Sequence, residues 1–280
     1  MRPSAGLREI FVGILARAAE RYDVEVHAYV CAGNHLHCLL SPADARELAG
    51  FMRYLLTNLS KEAGRLHHWR GPLLQRRYHA ILVSGEEIAQ LGRLRYLLAH
   101  GVKESLVARV LDWPGAHCAA ALLSGESPVG VWYDRTRQHA ARHRGDEASD
   151  AEFATAHRLE LAPLPCWRHL APEVVRQRVA DMVGEIEGEA ASRHRRDRTA
   201  PLGVRRVLRQ DPHGRPKRSK CSPAPLAHAA SRRVRSELRA AYHEFVARFR
   251  EAAEKLKSGC RDVAFPEGCF PPSLPFCRAG

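Results

Sequence analysis

The sequence predicts an α+β chain: an antiparallel sheet with helices on one face over residues 1–120, and a mainly helical region over 121–280. Three observations carry that prediction. Near the N-terminus, apolar residues at helical spacing run directly into residues that alternate apolar and polar, the period-2 mark of a strand. A turn at Ala32-Gly33-Asn34 then joins that strand to a returning one, which makes an antiparallel hairpin. Past the break at Ser124-Gly-Glu-Ser-Pro-Val-Gly130, apolar residues recur mainly at helical spacing.

Each element has its own signal. Leu7, Ile10, Phe11, Ile14, Leu15 and Ala18 form one stripe of a first helix, which with the flanking Glu9 and Glu20 argues for an amphipathic helix rather than a signal peptide. Val24, Val26, Ala28 and Val30 alternate with Glu25, His27, Tyr29 and Cys31 in the first strand, and His35–Leu40 returns as the second. Ser41-Pro42 supplies a cap and a first-turn proline for the next helix, with Asp44 nearby to meet its dipole. Leu48, Phe51, Met52, Leu55 and Leu59 are its inward stripe. Gly64–Pro72 reads as a loop, Tyr78–Val83 as a third strand, and Glu86 to His100 as a helix. Beyond the break, helices are predicted near 172–193 and 229–257, the second with Val234, Leu238, Ala241, Phe245, Phe249, Ala252 and Leu256 facing one way. The tail 265–276 holds four prolines and reads as an irregular wrap.

Charge narrows the partner. The chain has 44 Lys+Arg against 31 Asp+Glu, a formal net charge of +13, which points to an anionic partner. Residues 1–120 hold 15 basic and 11 acidic side chains, and residues 121–280 hold 29 and 20. The span 193–220 alone has 11 basic residues and 2 acidic ones, so the excess of the second half sits in one arm. Its Arg195, Arg196, Lys217 and Arg218 are candidate phosphate contacts, and without aromatic residues it offers no base stacking. The apolar fraction of 45% supports a sizeable core. No apolar run approaches the roughly 18 residues of a membrane span. Eight cysteines without a Cys-x-x-Cys pair argue against a zinc ribbon, a thioredoxin-like site or a disulfide scaffold, and the chain reads as cytoplasmic.

Two groups could do chemistry. On a strand, His35 and His37 project to the same side and can grip one divalent ion, with Leu36 opposite. On the helix ending near His100, Leu91, Leu94 and Leu98 form the apolar face. Tyr96 and His100 lie one turn apart on the opposite side, with Arg93 beside them. Two strand histidines, a helical third ligand, a tyrosine and an arginine in a basic chain are the parts for phosphodiester cleavage by a tyrosine nucleophile. A bound Mg²⁺ or Mn²⁺ would offset the charge that develops on the phosphate. Lys61, Arg76, Arg77 and Arg93 are further candidate phosphate contacts.

The run His27-Ala-Tyr-Val-Cys-Ala-Gly-Asn-His-Leu-His-Cys-Leu-Leu40 resembles the His–hydrophobic–His strand of the single-tyrosine HUH transposases, notably the REP-associated and insertion-sequence 200-like members. Their nicking helix, of the form RYIxxNPVxxGLV, is similar to Arg95-Tyr-Leu-Leu-Ala-His-Gly-Val-Lys-Glu-Ser-Leu-Val107, and Gln75–His79 resembles their aromatic- and arginine-rich strand. The likeness covers about residues 20–118. It implies a ferredoxin-like sheet, Tyr96 as nucleophile, and His35, His37 and His100 as metal ligands. It further implies single-stranded or hairpin DNA as substrate, a covalent 5′-phosphotyrosine, and a homodimer. His100 stands where the family has Asn, Gly101 where it has Pro, and Ser105 where it has Gly. The family's first strand precedes the first helix, whereas this sequence begins almost at that helix, so a missing strand would leave a sheet edge exposed. Those departures favour a non-catalytic nucleic-acid-binding protein on the same fold as the alternative, and a helical structural protein with an incidental basic surface is a third possibility.

Overall fold

The computed structural model describes residues 3–71, 73–74, 77–211 and 225–272. Arg76, Lys217 and Arg218 of the candidate contacts, and residues 273–276 of the tail, lie outside the described residues. The chain is a mixture of helix and sheet, and no described helix is long and apolar enough to cross a membrane.

Helix α1 (Ala5–Arg21) starts where the Ser4 hydroxyl accepts the Leu7 N–H at 3.1 Å. It buries Leu7, Ile10, Phe11, Ile14, Leu15 and Ala18, the full expected stripe. Burial of each larger side chain contributes about 2 kcal/mol. Strand β1 (Val24–Cys31) pairs antiparallel with β2 (Leu36–Pro42), matching Tyr29 with Cys38 and Val30 with His37. An irregularity between Val26 and Ala28 shifts the alternation, so Tyr29 comes to lie against Phe11 with ring centroids 5.6 Å apart. Only Glu25 of β1 is exposed. A strand buried on both faces needs cover on both. Helix α1 lies against the Tyr29 side, with α2 (Ala45–Leu66) packed beside it. The His37 side receives the helix that carries Tyr96.

Three local differences have physical causes. Helix α2 starts after Asp44, whose carboxylate accepts the Arg46 and Glu47 N–H groups at 2.7 and 2.8 Å. Ser41 is not its cap, because the Ser41 hydroxyl is bonded to His27 Nε2 at 2.8 Å and the residue stays in β2. The expected third strand is reduced to β3 (Leu82–Val83), which pairs in parallel with β6 (Ala227–His228) and not with the hairpin. The free edge of β1 is already taken: Cys31 donates to Ala116 at 2.9 Å, Cys118 to Tyr29 at 3.1 Å and Ala162 to Val26 at 2.9 Å. Those bonds occupy the edge that a missing strand was expected to expose.

The remaining elements are α3 (Glu87–Leu98), α4 (His100–Lys103), α5 (Ala119–Ser124), β4 (Val129–Tyr133), α6 (Arg135–His143), β5 (Ala154–Arg158), α7 (Pro172–Asp197), α8 (Val204–Leu208) and α9 (Arg232–Lys257). Strand β4 pairs antiparallel with β5 and rests on α1 through two facing glycines. A Cβ at Gly13 would sit inside the Val131 backbone, and one at Gly130 inside the backbone of Gly13. Helix α7 buries Val179, Val183, Ile186 and Ala190, packing on α3, α4 and α5. One apolar cluster therefore runs from Leu7 to Val207, across residue 120. The first part of the basic arm is helix, not loop: α7 continues through Arg196 and ends where Arg198 turns left-handed at φ 50°. Phe265 of the tail packs tilted against Phe249 of α9, ring centroids 5.5 Å apart, in an irregular segment as expected.

Candidate metal centre

His35 stands one residue before β2 and His37 is its second residue, so both rings leave the hairpin on one side, 4.9 Å apart. Helix α3 ends at Leu98, yet Ala99 keeps a helical backbone (φ −74°, ψ −7°) into α4. The Ala99 N–H reaches the Arg95 carbonyl at 2.9 Å. The one-turn spacing from Tyr96 to His100 thus survives the break. The His100 ring lies 4.7 Å from that of His35 and 5.2 Å from that of His37. One ligand atom from each of the three residues falls within 4.8 Å of the other two.

The surroundings suit a cation. His35 Nδ1 donates to Asn34 Oδ1 at 2.6 Å, which fixes the ring and leaves its Nε2 free for a ligand. His37 Nε2 and His100 Nδ1 are buried without a hydrogen-bond partner. A buried orphan of this kind costs about 1–3 kcal/mol unless something binds it, and a metal ion would satisfy both atoms. Burial lowers all three imidazole pKa values, those of His37 and His100 to about 4, and their mutual repulsion and Lys103 add to the effect on those two. The rings are therefore neutral at pH 7, the form that ligates. Three residues fit a divalent ion with coordination positions left over for substrate oxygen.

Tyr96 faces this cluster and not the leucines of its own helix. Its ring is 5.3 Å from His37 and 5.9 Å from His100, while Leu94, Leu97 and Leu98 are buried. Two cations lie over the phenol: Lys103 Nζ at 4.6 Å and the Arg93 guanidinium at 5.4 Å from the ring centroid. Arg93 is also bonded to His228 Nε2 at 3.2 Å.

Other predicted contacts spread more widely. Arg196 sits on the last turn of α7 and lines a groove that reaches Tyr96, whereas Arg195 is exposed and bonded to Ser192. Lys61 is exposed on α2, the helix packed beside α1, and Arg77 is exposed in the segment before β3. Neither Lys61 nor Arg77 makes a contact with the histidine cluster.

Sequence reasoning missed three residues. Lys103 follows Tyr96 by seven residues, two helical turns, a spacing that places it on the same side and could have found it. Asn34 was read only as a turn residue. His117 is half-buried, takes the Ala119 N–H on Nδ1 at 3.0 Å and lies against the Leu97 and Leu98 carbonyls under the end of α3. No local signal marks that placement.

One residue that departs from the resembled motif, Ser105, has a structural account. Ser105 adopts φ 56°, a left-handed backbone that glycine takes without strain. Arg193 holds it, bonding the Ser105 hydroxyl at 3.3 Å and the Val102 carbonyl at 3.2 Å. Comparisons with family models, with curated proteins and with solved structures return no match, so the chemistry of this site rests on its own residues.

Proposed function

We propose that the chain is a metal-dependent DNA-nicking and strand-transferring enzyme of the single-tyrosine HUH type, acting on single-stranded or hairpin DNA. The observation that carries this reading is the Tyr96 ring seated 5.3 Å from His37 beside three imidazoles whose ligand atoms lie within 4.8 Å. A bound divalent ion would polarise the scissile phosphate there. Tyr96 Oη attacks phosphorus and the P–O3′ bond breaks, leaving a 5′-phosphotyrosine. The phenol proton is lost to solvent and the departing 3′ oxygen takes one up, so the transesterification needs no net proton. Lys103 and Arg93 offset the charge that develops on the phosphate.

Three imidazoles without a carboxylate suit Mn²⁺ better than Mg²⁺, which prefers oxygen ligands and keeps its water. A ferredoxin-like arrangement, cytoplasmic action and a homodimer belong to the same proposal. The hairpin followed by α2, with α1 and α2 packed together, supports the first of these. The second reading, a nucleic-acid-binding protein without cleavage, is favoured by His100 and Ser105 standing where the family has Asn and Gly.

The test incubates the protein and its Tyr96→Phe variant with end-labelled single-stranded and hairpin DNA, with Mn²⁺ or Mg²⁺. The expected result is a covalent adduct, stronger with Mn²⁺ and absent from the variant. Salt-sensitive binding without an adduct under either metal supports the second reading instead.

A further inference from the structure

A groove of about 830 Å³ opens between α3–α4 and α7, and Tyr96 is part of its wall. Among the described residues its charged lining is Arg93, Arg95, Lys103, Arg193 and Arg196 against a single acid, Glu189. Arg95 neutralises that acid at 2.7 Å and also reaches Glu185 at 3.3 Å. Of the other four cations, Arg196 is paired with Asp197 at 3.1 Å in an exposed contact worth little, and Arg93, Lys103 and Arg193 have no acidic partner among the described residues, so the surface that ends at the phenol stays positive.

The floor is made of small residues. Ala99 and Ala190 line it, and at Gly92 and Gly188 a Cβ would meet nothing within 4 Å. Backbone this bare lets a polyanion lie close to the helices. The volume is that of a small-molecule site, about 300–1,000 Å³, enough for a few nucleotides of one strand and too little for a duplex.

We propose that this groove seats the single DNA strand that flanks the scissile phosphate, gripping its backbone through Arg93, Lys103, Arg193 and Arg196. This rests on the nicking reading, and it gives α7, from the half of the chain without a recognised motif, a part in holding substrate. Among the described residues, aromatic side chains other than Tyr96 do not line the groove. The grip is therefore on phosphates and indifferent to base identity, with the salt dependence of counterion release.

The test uses the full chain carrying Tyr96→Phe, so that binding is read without cleavage. Anisotropy of a fluorescein-labelled single-stranded deoxyoligonucleotide is measured across a salt series. Adding Arg196→Glu weakens binding roughly tenfold and reduces the salt slope by about 0.7, the loss of one phosphate contact. Adding Gly188→Phe, which fills the groove from an exposed helical position, weakens binding to a similar extent. Arg250→Glu on α9 makes the same charge change outside the groove and leaves affinity within about threefold. Melting temperatures matching the Tyr96→Phe parent establish that the variants are folded.

Unchanged affinity in both groove variants overturns the proposal, as does equal binding of a duplex of the same sequence. The two readings fail separately. If Gly188→Phe with Tyr96 intact still forms the adduct at the parental rate, the groove assignment is wrong and the nicking assignment stands. If no chain forms an adduct yet the groove variants lose binding, the nicking assignment fails and the groove remains a strand-binding surface.

Discussion

Two clusters of nitrogen-bearing side chains border Tyr96, and they differ in almost every physical respect. The histidine cluster is small, desolvated and neutral, and it draws on the hairpin and the start of α4. The groove is open and cationic, and it draws on α3, α4 and α7. The first works by placement: a shift of an ångström at one ring would spoil it. The second works by summed charge, and one lost arginine weakens it without abolishing it. On the proposed reading, a tyrosine between three imidazoles that could hold a metal and a cationic groove would have access to both a polarised phosphate and a held strand.

The sharpest separation comes from His37→Ala. With two of three ligands left, Mn²⁺ affinity by titration calorimetry is expected to fall more than about 100-fold, beyond the range seen when a supporting partner of a ligand is removed. Metal-free binding of single-stranded DNA should stay within about threefold. An equal loss of both would mean that the clusters are one site. Salt gives the converse. Four engaged phosphates predict a roughly 50-fold loss of DNA affinity between 50 and 200 mM salt. Metal affinity should change by less than about threefold, since coordination bonds are not screened as exposed charges are.

The two clusters were also unequally legible in the sequence. His35 with His37, and Tyr96 with His100, are near neighbours whose common faces follow from the periods of strand and helix. Two local patterns, meeting by one tertiary contact, made most of the metal centre. The groove was not legible, because its walls are α3 and α7, some ninety residues apart, joined by the burial of Val183, Ile186 and Ala190. Stripes of this kind say that a helix packs, not on what.

The fold divides in the same way. The stripe of α1 was legible in full, whereas the bulge that turns Tyr29 toward Phe11 has no local signature. The pairing of β3 with β6 joins Leu82 to Ala227, across about half of the chain, and the start of α2 depends on His27 occupying the Ser41 hydroxyl. Each of these is decided by a partner distant in sequence or by a competing side chain.

Acid should separate the clusters again, by stability. His27, His35, His37, His100 and His117 all have pKa values lowered by burial, and those of His37, His100 and His117 fall to about 4. The unfolded chain takes up these protons near pH 6.5 and the folded chain only at lower pH, about 4 for His37, His100 and His117. Their contribution is therefore complete above about pH 6.5 and is lost as pH falls toward 4. By circular dichroism, the melting temperature of the metal-free protein should drop roughly 5 °C or more between pH 7.5 and 5. A flat profile would mean that the imidazoles are more hydrated than their burial implies.

The smallest effect lies where the two clusters join. Ser105 ends the segment carrying His100 and Lys103, and its left-handed backbone is strained by about 1 kcal/mol relative to glycine. Arg193, a groove residue, spends one of two hydrogen bonds on the Ser105 hydroxyl. Ser105→Gly removes the strain and that bond together, but the Val102 carbonyl still holds the guanidinium at 3.2 Å. The Leu202 N–H also still reaches the residue's carbonyl at 2.8 Å, tying the turn to the segment after α7. A lost bond to a partly exposed hydroxyl costs less than the strain relieved, so the variant should melt about 1–3 °C higher. DNA affinity and Mn²⁺ affinity should both stay within about twofold, since neither cluster loses a charge or a ligand. A lower melting temperature would instead make the Arg193 bond, and not the backbone, the decisive interaction at the junction.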